Sequence, residues 1–169
     1  KLSENLFKGL SPWMQKLPGG LIHVNVVGCA LFAAISGSSA ATVATVGKMS
    51  IPELRKRNYP EKILLGSLAG SGTLGLLIPP SIILIIYGVA VQESIAKLFI
   101  AGIIPGIMIA LIFMSYVIIW SLINKKEMPK ILEEYSFFEK IKRSKQLLPV
   151  ILLILAVIGS IYTGVATAK

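Results

Sequence analysis

The chain has 169 residues, of which 54% are hydrophobic and 15% charged, with a mean hydropathy of +0.78. A soluble domain carries about a quarter charged residues, so this composition excludes an ordinary soluble globule and fits a helical, polytopic membrane protein. The formal net charge of +9 does not mark a nucleic-acid partner, because the 17 Lys and Arg residues cluster in short segments between apolar runs, as cytoplasmic loops do under the positive-inside rule. Cys29 is the single cysteine, so there is no disulfide framework.

In chain order, residues 1–16 set Leu2, Leu6, Phe7, Leu10, Trp13 and Met14 among lysines. This spacing predicts an amphipathic helix at the membrane interface, with Trp13 as a headgroup anchor. Residues 17–47 then form an uncharged run of 31 residues. One span needs roughly 20 residues and two need about 40, so the flanks decide the matter. Lys1, Lys8 and Lys16 precede the run, and Lys48, Arg55, Lys56, Arg57 and Lys62 follow it. Both ends are therefore expected in the cytoplasm, and the run is expected to enter and return as a re-entrant helical hairpin. Its tip falls at the small, polar residues 36–42, where Ser38 or Ser39 can cap the returning helix. The alternative is one long tilted helix whose small residues serve close packing.

Residues 48–62 are predicted as a cytoplasmic loop broken by Pro52 and Pro60. Residues 63–92 are uncharged and long enough to cross a bilayer, yet Gly70, Gly72, Gly75 and the pair Pro79 and Pro80 interrupt them. Glycines loosen the helical ladder and prolines remove donors. The expected result is a discontinuous helix whose unwound residues are buried in protein or face a watery cavity. Residues 93–124 are predicted as a spanning helix, residues 125–146 as a cytoplasmic loop holding a second interfacial helix at 135–143, and residues 147–169 as a last spanning helix. From Lys1, which is not a methionine, to an end without a polar tail, the chain is expected to be part of a longer one.

No Asp, Glu, Lys or Arg lies inside the apolar runs 17–47, 63–92, 98–124 and 147–167. A proton-coupled carrier keeps a titratable group at membrane depth, and here His23 alone could serve. His23 and Asn25 are instead expected in local or interhelical hydrogen bonds. Neutral hydroxyls and carbonyls suit a hard cation such as sodium, and both the hairpin tip and the broken helix supply them. Residues 70–75 read GSGTLG and mimic a dinucleotide fingerprint, but no strand precedes them. With no cluster of metal ligands and no Ser/His/Asp constellation, the sequence is expected to use no cofactor and to be no enzyme.

The motifs FAAISGSSAATVATVG at 32–47 and GSGTLGLLIPPSIILIIYG at 70–88 resemble the large membrane subunit of tripartite ATP-independent periplasmic (TRAP) transporters of bacteria and archaea. LPGGLIHVN at 17–25 and ESIAKLFIAGIIPG at 93–106 continue the likeness. The resemblance implies one half of an inverted-repeat elevator transporter in the inner membrane, with the second repeat absent. It implies a sodium site made by Ser36, Gly37, Ser38 and Ser39 with Gly70, Gly72, Thr73 and Gly75. It also implies a substrate carboxylate beside Ser39, Ala40, Thr42, Pro79, Pro80 and Ser81. The hairpin and broken helix would form the transport domain, and the interfacial helices the scaffold. The implied partners are a small membrane subunit, a periplasmic substrate-binding protein, the remainder of the large subunit and the lipid bilayer. The implied activity is sodium-driven uptake of a small organic anion, of sialic acid or C4-dicarboxylate type. Competing readings are a non-transporting membrane scaffold, a passive channel, and a sodium/carboxylate carrier that needs no binding protein.

Overall fold

The computed structural model describes residues 2–129 and 136–162. Among them all regular structure is helical: α1 (Leu2–Met14), α2 (Ile22–Ser36), α3 (Ser39–Lys56), α4 (Glu61–Gly72), α5 (Ile82–Val91), α6 (Ile95–Ile123), α7 (Phe137–Ser144) and α8 (Leu148–Tyr162), with short 3-10 turns at Thr73–Leu76, Lys125–Glu127 and Lys145–Leu147. Residues 130–135 of the expected cytoplasmic loop and 163–169 of the last span lie outside the described residues.

Helix α2 is the centre of the fold. It is apolar on every side, nine of its residues are buried, and it touches α1, α3, α4, α6 and α8. A helix without a polar face has to be covered all round, and the core built on it joins Leu6, Ile22, Val24, Leu54, Leu64, Val117 and Val150. Helix α1 turns its apolar face onto the protein. Leu6, Phe7 and Leu10 are buried in this core, because Gly9 lets the helix settle onto Leu147: a Cβ there would stand 2.6 Å from the leucine Cγ. Trp13 is held by protein as well, donating its indole N–H to Ser144 Oγ at 2.8 Å.

The uncharged run that begins at residue 17 does not start as helix. Pro18 is followed by Gly19 and Gly20 at φ +98° and +53°, a left-handed turn that only glycine makes without strain. Helix α2 then runs to Gly37, at φ 58°, whose N–H closes onto Ala33 O. Ser38 is extended and caps α3 by accepting from the Ala41 N–H. Two residues thus reverse the chain, and α3 returns along α2 with Val46 beside Gly28.

The predicted loop over 48–62 is corrected: α3 continues through Pro52 to Lys56, leaving only 57–60 outside helix. The reason is packing. Val46, Gly47, Ser50 and Leu54 recur at helical spacing on the buried side of α3, whereas Pro52 points to the exposed side. Its missing hydrogen bond is therefore at the solvent face, and Arg55 and Lys56 end the helix where cations suit its dipole. Tyr59 closes the loop by accepting the Leu21 N–H at 3.0 Å. Burial outweighs the hydrogen bond from Leu21 and the charge of Arg57, raising the Tyr59 pKa so that the phenol stays neutral.

Helices α4 and α5 are interrupted between Gly72 and Ile82. Helix α6, of 29 residues, is about 43 Å long at 1.5 Å per residue. Among the described residues it is the helix long and apolar enough to cross a membrane alone. Its inner stripe carries Phe99, Gly106, Val117 and Ser121, and its outer face exposes Ile100, Ile104, Ile107, Met108, Leu111 and Ile112. Helix α2, with 15 residues, reaches about 22 Å, short of the roughly 30 Å hydrocarbon core.

Candidate functional site

Two small-residue segments meet at one end of α2. The tip of the α2–α3 turn is a network of neutral oxygens. Thr42 Oγ1 donates to Ser38 O at 2.7 Å, and the Thr42 N–H reaches the same carbonyl at 3.0 Å. Ser36 Oγ and Thr42 Oγ1 share a further hydrogen bond at 2.8 Å, and Ser36 Oγ also donates toward Ser38 O at 3.3 Å. Ser36 Oγ in turn lies 3.4 Å from the Ser38 N–H, which it accepts. Thr42 is buried and Ser36, Ser38 and Ser39 are half-buried, while Ala40 is exposed.

Against this tip lies the interruption between α4 and α5. A Cβ on Gly75 would meet the Ser38 carbonyl carbon and the Ser39 nitrogen, both at 2.8 Å. A Cβ on Gly37 would stand 2.5 Å from Pro80 O, and the Ile82 N–H donates to Gly37 O at 3.4 Å. The contacts at Gly75 and Gly37 are with backbone, whereas Gly72 packs against the Val43 side chain. Where backbone meets backbone, at Gly75 and Gly37, glycine permits it because any side chain would hold the segments apart. Behind the interruption, Ser81 is buried and donates to Leu76 O at 2.6 Å. Gly102 and Gly106 of α6 let Leu77 and Ile78 press close: a Cβ on Gly102 would be 3.0 Å from Leu77 O, and one on Gly106 2.9 Å from Ile78 Cγ1.

Of the residues expected to hold a cation or a carboxylate, the structure therefore brings Ser36, Gly37, Ser38, Ser39 and Thr42 to Gly72, Gly75 and Pro80. Gly70 stands apart. Its Cα side faces Phe113 of α6, and its carbonyl already accepts the Thr73 N–H and, at 2.6 Å, the Thr73 hydroxyl. Thr73 is exposed. Pro79 is buried and lies toward Gly102. The tip holds no charged side chain, and no group of three or more His, Cys, Asp or Glu is placed to hold a metal among the described residues. Any ion seated there would be met by hydroxyls and carbonyls, the donor set of a hard cation.

A polar seam behind the tip was only half legible in the sequence. Asn25 of α2 is fully buried and donates to Leu64 O at 3.2 Å and Ser67 Oγ at 3.0 Å. Ser71, one turn on, donates to Ser67 O at 2.6 Å. The signal was the pair Ser67 and Ser71, four residues apart and hence on one face of α4, opposite the lone asparagine. His23 makes the expected local bond, Nε2 to Pro18 O at 2.8 Å.

A helical chain with a hairpin abutting a broken helix, and a bilayer-length apolar helix alongside, fits a helical membrane protein. The family model described as "Tripartite ATP-independent periplasmic transporter, DctM component" matches residues 1–169. The chain is 41% identical to the C4-dicarboxylate TRAP transporter large permease protein DctM of Pseudomonas aeruginosa over 149 residues, 88% of the chain and 34% of the relative. It is 35% identical to the sialic acid TRAP transporter large permease protein SiaM of Vibrio cholerae over 165 residues, 96% of the chain and 38% of the relative. It is 37% identical to the ectoine/5-hydroxyectoine TRAP transporter large permease protein UehC of Ruegeria pomeroyi over 153 residues, 90% and 35%. The chain belongs to the DctM family of TRAP transporter large permeases, which are transport proteins rather than enzymes. It spans about a third of the length of these relatives.

Proposed function

We propose that the chain is the half of a sodium-coupled carrier that holds one hairpin and one broken helix, in a protein that takes up a small organic anion. The supporting observation is the backbone approach of residues 37–39 to residues 72–82, with Gly75 against Ser38 and Gly37 against Pro80. Two helix ends and a cluster of neutral oxygens at membrane depth serve a coupling cation and a carboxylate together. Sodium sits among Ser36, Gly37, Ser38 and Ser39 with Gly72, Thr73 and Gly75. The anion lies beside Ser39, Ala40 and Thr42, toward Pro79, Pro80 and Ser81. Gly70 contributes to sodium by shaping the interruption, since its carbonyl is occupied.

In this reading α2 and α3 form a re-entrant hairpin, consistent with an α2 too short to cross, and they travel with α4 and α5 as an elevator-type transport domain. Helices α6 to α8 belong to the scaffold, in a multi-pass inner-membrane protein. The remainder of the large subunit completes the site, a small membrane subunit steadies the scaffold, and a periplasmic binding protein delivers the solute. Relatives named for C4-dicarboxylate and sialic acid transport support carboxylated substrates.

The test is uptake of labelled solute by the full-length complex in proteoliposomes, with and without a sodium gradient and purified binding protein. Accumulation only when both are present is the expected result. Accumulation that needs the gradient but no binding protein would leave the carrier and remove the partner. Equilibration without a gradient would overturn coupled transport altogether.

A further inference from the structure

Helix α7 presents a face that nothing within the described residues covers. At 100° per residue, Phe137, Ile141 and Phe138 fall on one arc, and they are 70%, 45% and 77% exposed. Lys142 flanks that arc on one side. On the other side Lys140 holds its ammonium 5.5 Å from the ring centroid of Trp13 of α1, and Trp13 is itself 42% exposed. The only acid of the helix, Glu139, is turned back to accept the Ser136 N–H at 3.3 Å in a capping box. Lys140, Lys142 and Lys145 thus stand beside one committed carboxylate within residues 136–147.

What lies next to this face indicates its level in the membrane. From Leu148 onward α8 has no charged residue through Tyr162, and it exposes Leu148, Ile151, Leu152 and Leu155. The apolar arc of α7 therefore continues directly into an apolar exposed helix, and the cations stop where that helix begins. A short helix with an apolar arc, a lysine rim and a neighbouring half-exposed tryptophan lies in the plane of a bilayer interface. Apolar burial alone would not distinguish one phospholipid from another. The concentration of cations does, since each Lys or Arg near a membrane surface is drawn to anionic headgroups.

We propose that α7, together with Trp13, is a docking surface for anionic phospholipid headgroups on the cytoplasmic leaflet, with Lys140, Lys142 and Lys145 as the selecting residues. The proposal rests on the membrane placement of this family and is independent of sodium coupling.

The experiment uses the full-length permease complex in nanodiscs, with Phe138→Cys carrying a bimane fluorophore in a background without other cysteines. Quenching is compared between brominated phosphatidylglycerol and brominated phosphatidylcholine at equal mole fraction. Quenching about two-fold stronger by the anionic lipid is expected, weakening as salt is raised. The combined Lys140→Gln, Lys142→Gln and Lys145→Gln variant should bring the two lipids to parity, while the matching Lys→Arg variant keeps the preference. Size-exclusion elution as a single complex checks that each variant folds. Equal quenching by both lipids in the parent would overturn the proposal, as would a preference surviving in the glutamine variant. No quenching by either lipid would mean that a protein covers α7, and would overturn it as well.

Discussion

At the tip of the hairpin, individual atoms have two tasks at once. Ser38 Oγ caps α3 through the Ala41 N–H, a bond worth about 1 kcal/mol in typical helices. The Ser38 carbonyl gathers the hydroxyl and N–H of Thr42, while its backbone faces Gly75. Ser38→Ala therefore separates a structural from an ion-binding role. If the tip holds sodium, the variant raises the sodium concentration for half-maximal uptake by more than a cap loss of about 1 kcal/mol explains, roughly five-fold or beyond. A change in melting temperature without a change in sodium dependence would favour the non-transporting scaffold. Gly37→Ala is the harsher test. Gly37 combines φ 58° with a Cβ position 2.5 Å from Pro80 O. The left-handed conformation alone costs a non-glycine residue about 1–2 kcal/mol, and relieving the collision adds about 1–3 kcal/mol. Full-length Gly37→Ala is expected to lose at least about 2 kcal/mol in denaturant titration in detergent. Stability equal to the parent would show that the turn and the interruption are not in contact.

Between elements, the seam joining α2 to α4 ties the hairpin to the broken helix. Asn25 bridges to Leu64 O and Ser67 Oγ, and Ser71 extends the line toward the interruption. Such interhelical bonds are worth about 0.6–2 kcal/mol in membranes, and α2 has few other polar groups with which to specify its register. Asn25→Leu keeps approximate volume but removes the bridge. The expected outcome is a loss of about 1–2 kcal/mol on unfolding, together with weaker sodium binding by isothermal calorimetry. Unchanged sodium affinity would restrict the seam to stability. The interruption itself was legible in Gly70, Gly72, Gly75, Pro79 and Pro80, because glycine and proline act on the backbone locally. The turn at Gly37 and Ser38 was legible for the same reason. The extent of α3 was not, because charge near Lys48 imitates a loop while the buried stripe through Ser50 and Leu54 is visible only once its partners are in place. What the apolar face of α1 packs on was not legible either: an amphipathic face is the same pattern whether lipid or protein covers it, and Gly9 against Leu147 brings protein to it.

For the whole molecule, the distribution of exposed apolar surface sets what the chain can do by itself. Ile82, Ile86 and Tyr87 of α5, Ile104 and Leu111 of α6, and Leu152 and Leu155 of α8 are all exposed. Patches of this extent are not stable in water and call for lipid or further protein. The hairpin tip, by contrast, is enclosed among the described residues on one side only, by residues 72–82, and Ala40 and Thr73 remain exposed beside it. A site of this kind has one wall. An anion carried across a bilayer must be desolvated and matched on all sides, since an unpaired charge at membrane depth costs several kcal/mol. The 169-residue chain expressed without further sequence is therefore expected to sediment with membranes and to resist alkaline carbonate extraction, because its apolar faces remain. It is expected to show no sodium-driven uptake, the activity that the proposed function assigns to the full-length permease with its partners. Release by carbonate would contradict the placement of α6 in the bilayer. Sodium-dependent accumulation by the 169 residues alone would show that one hairpin and one broken helix suffice, and the wall missing beside Ala40 and Thr73 would then have to come from a second copy of the same chain.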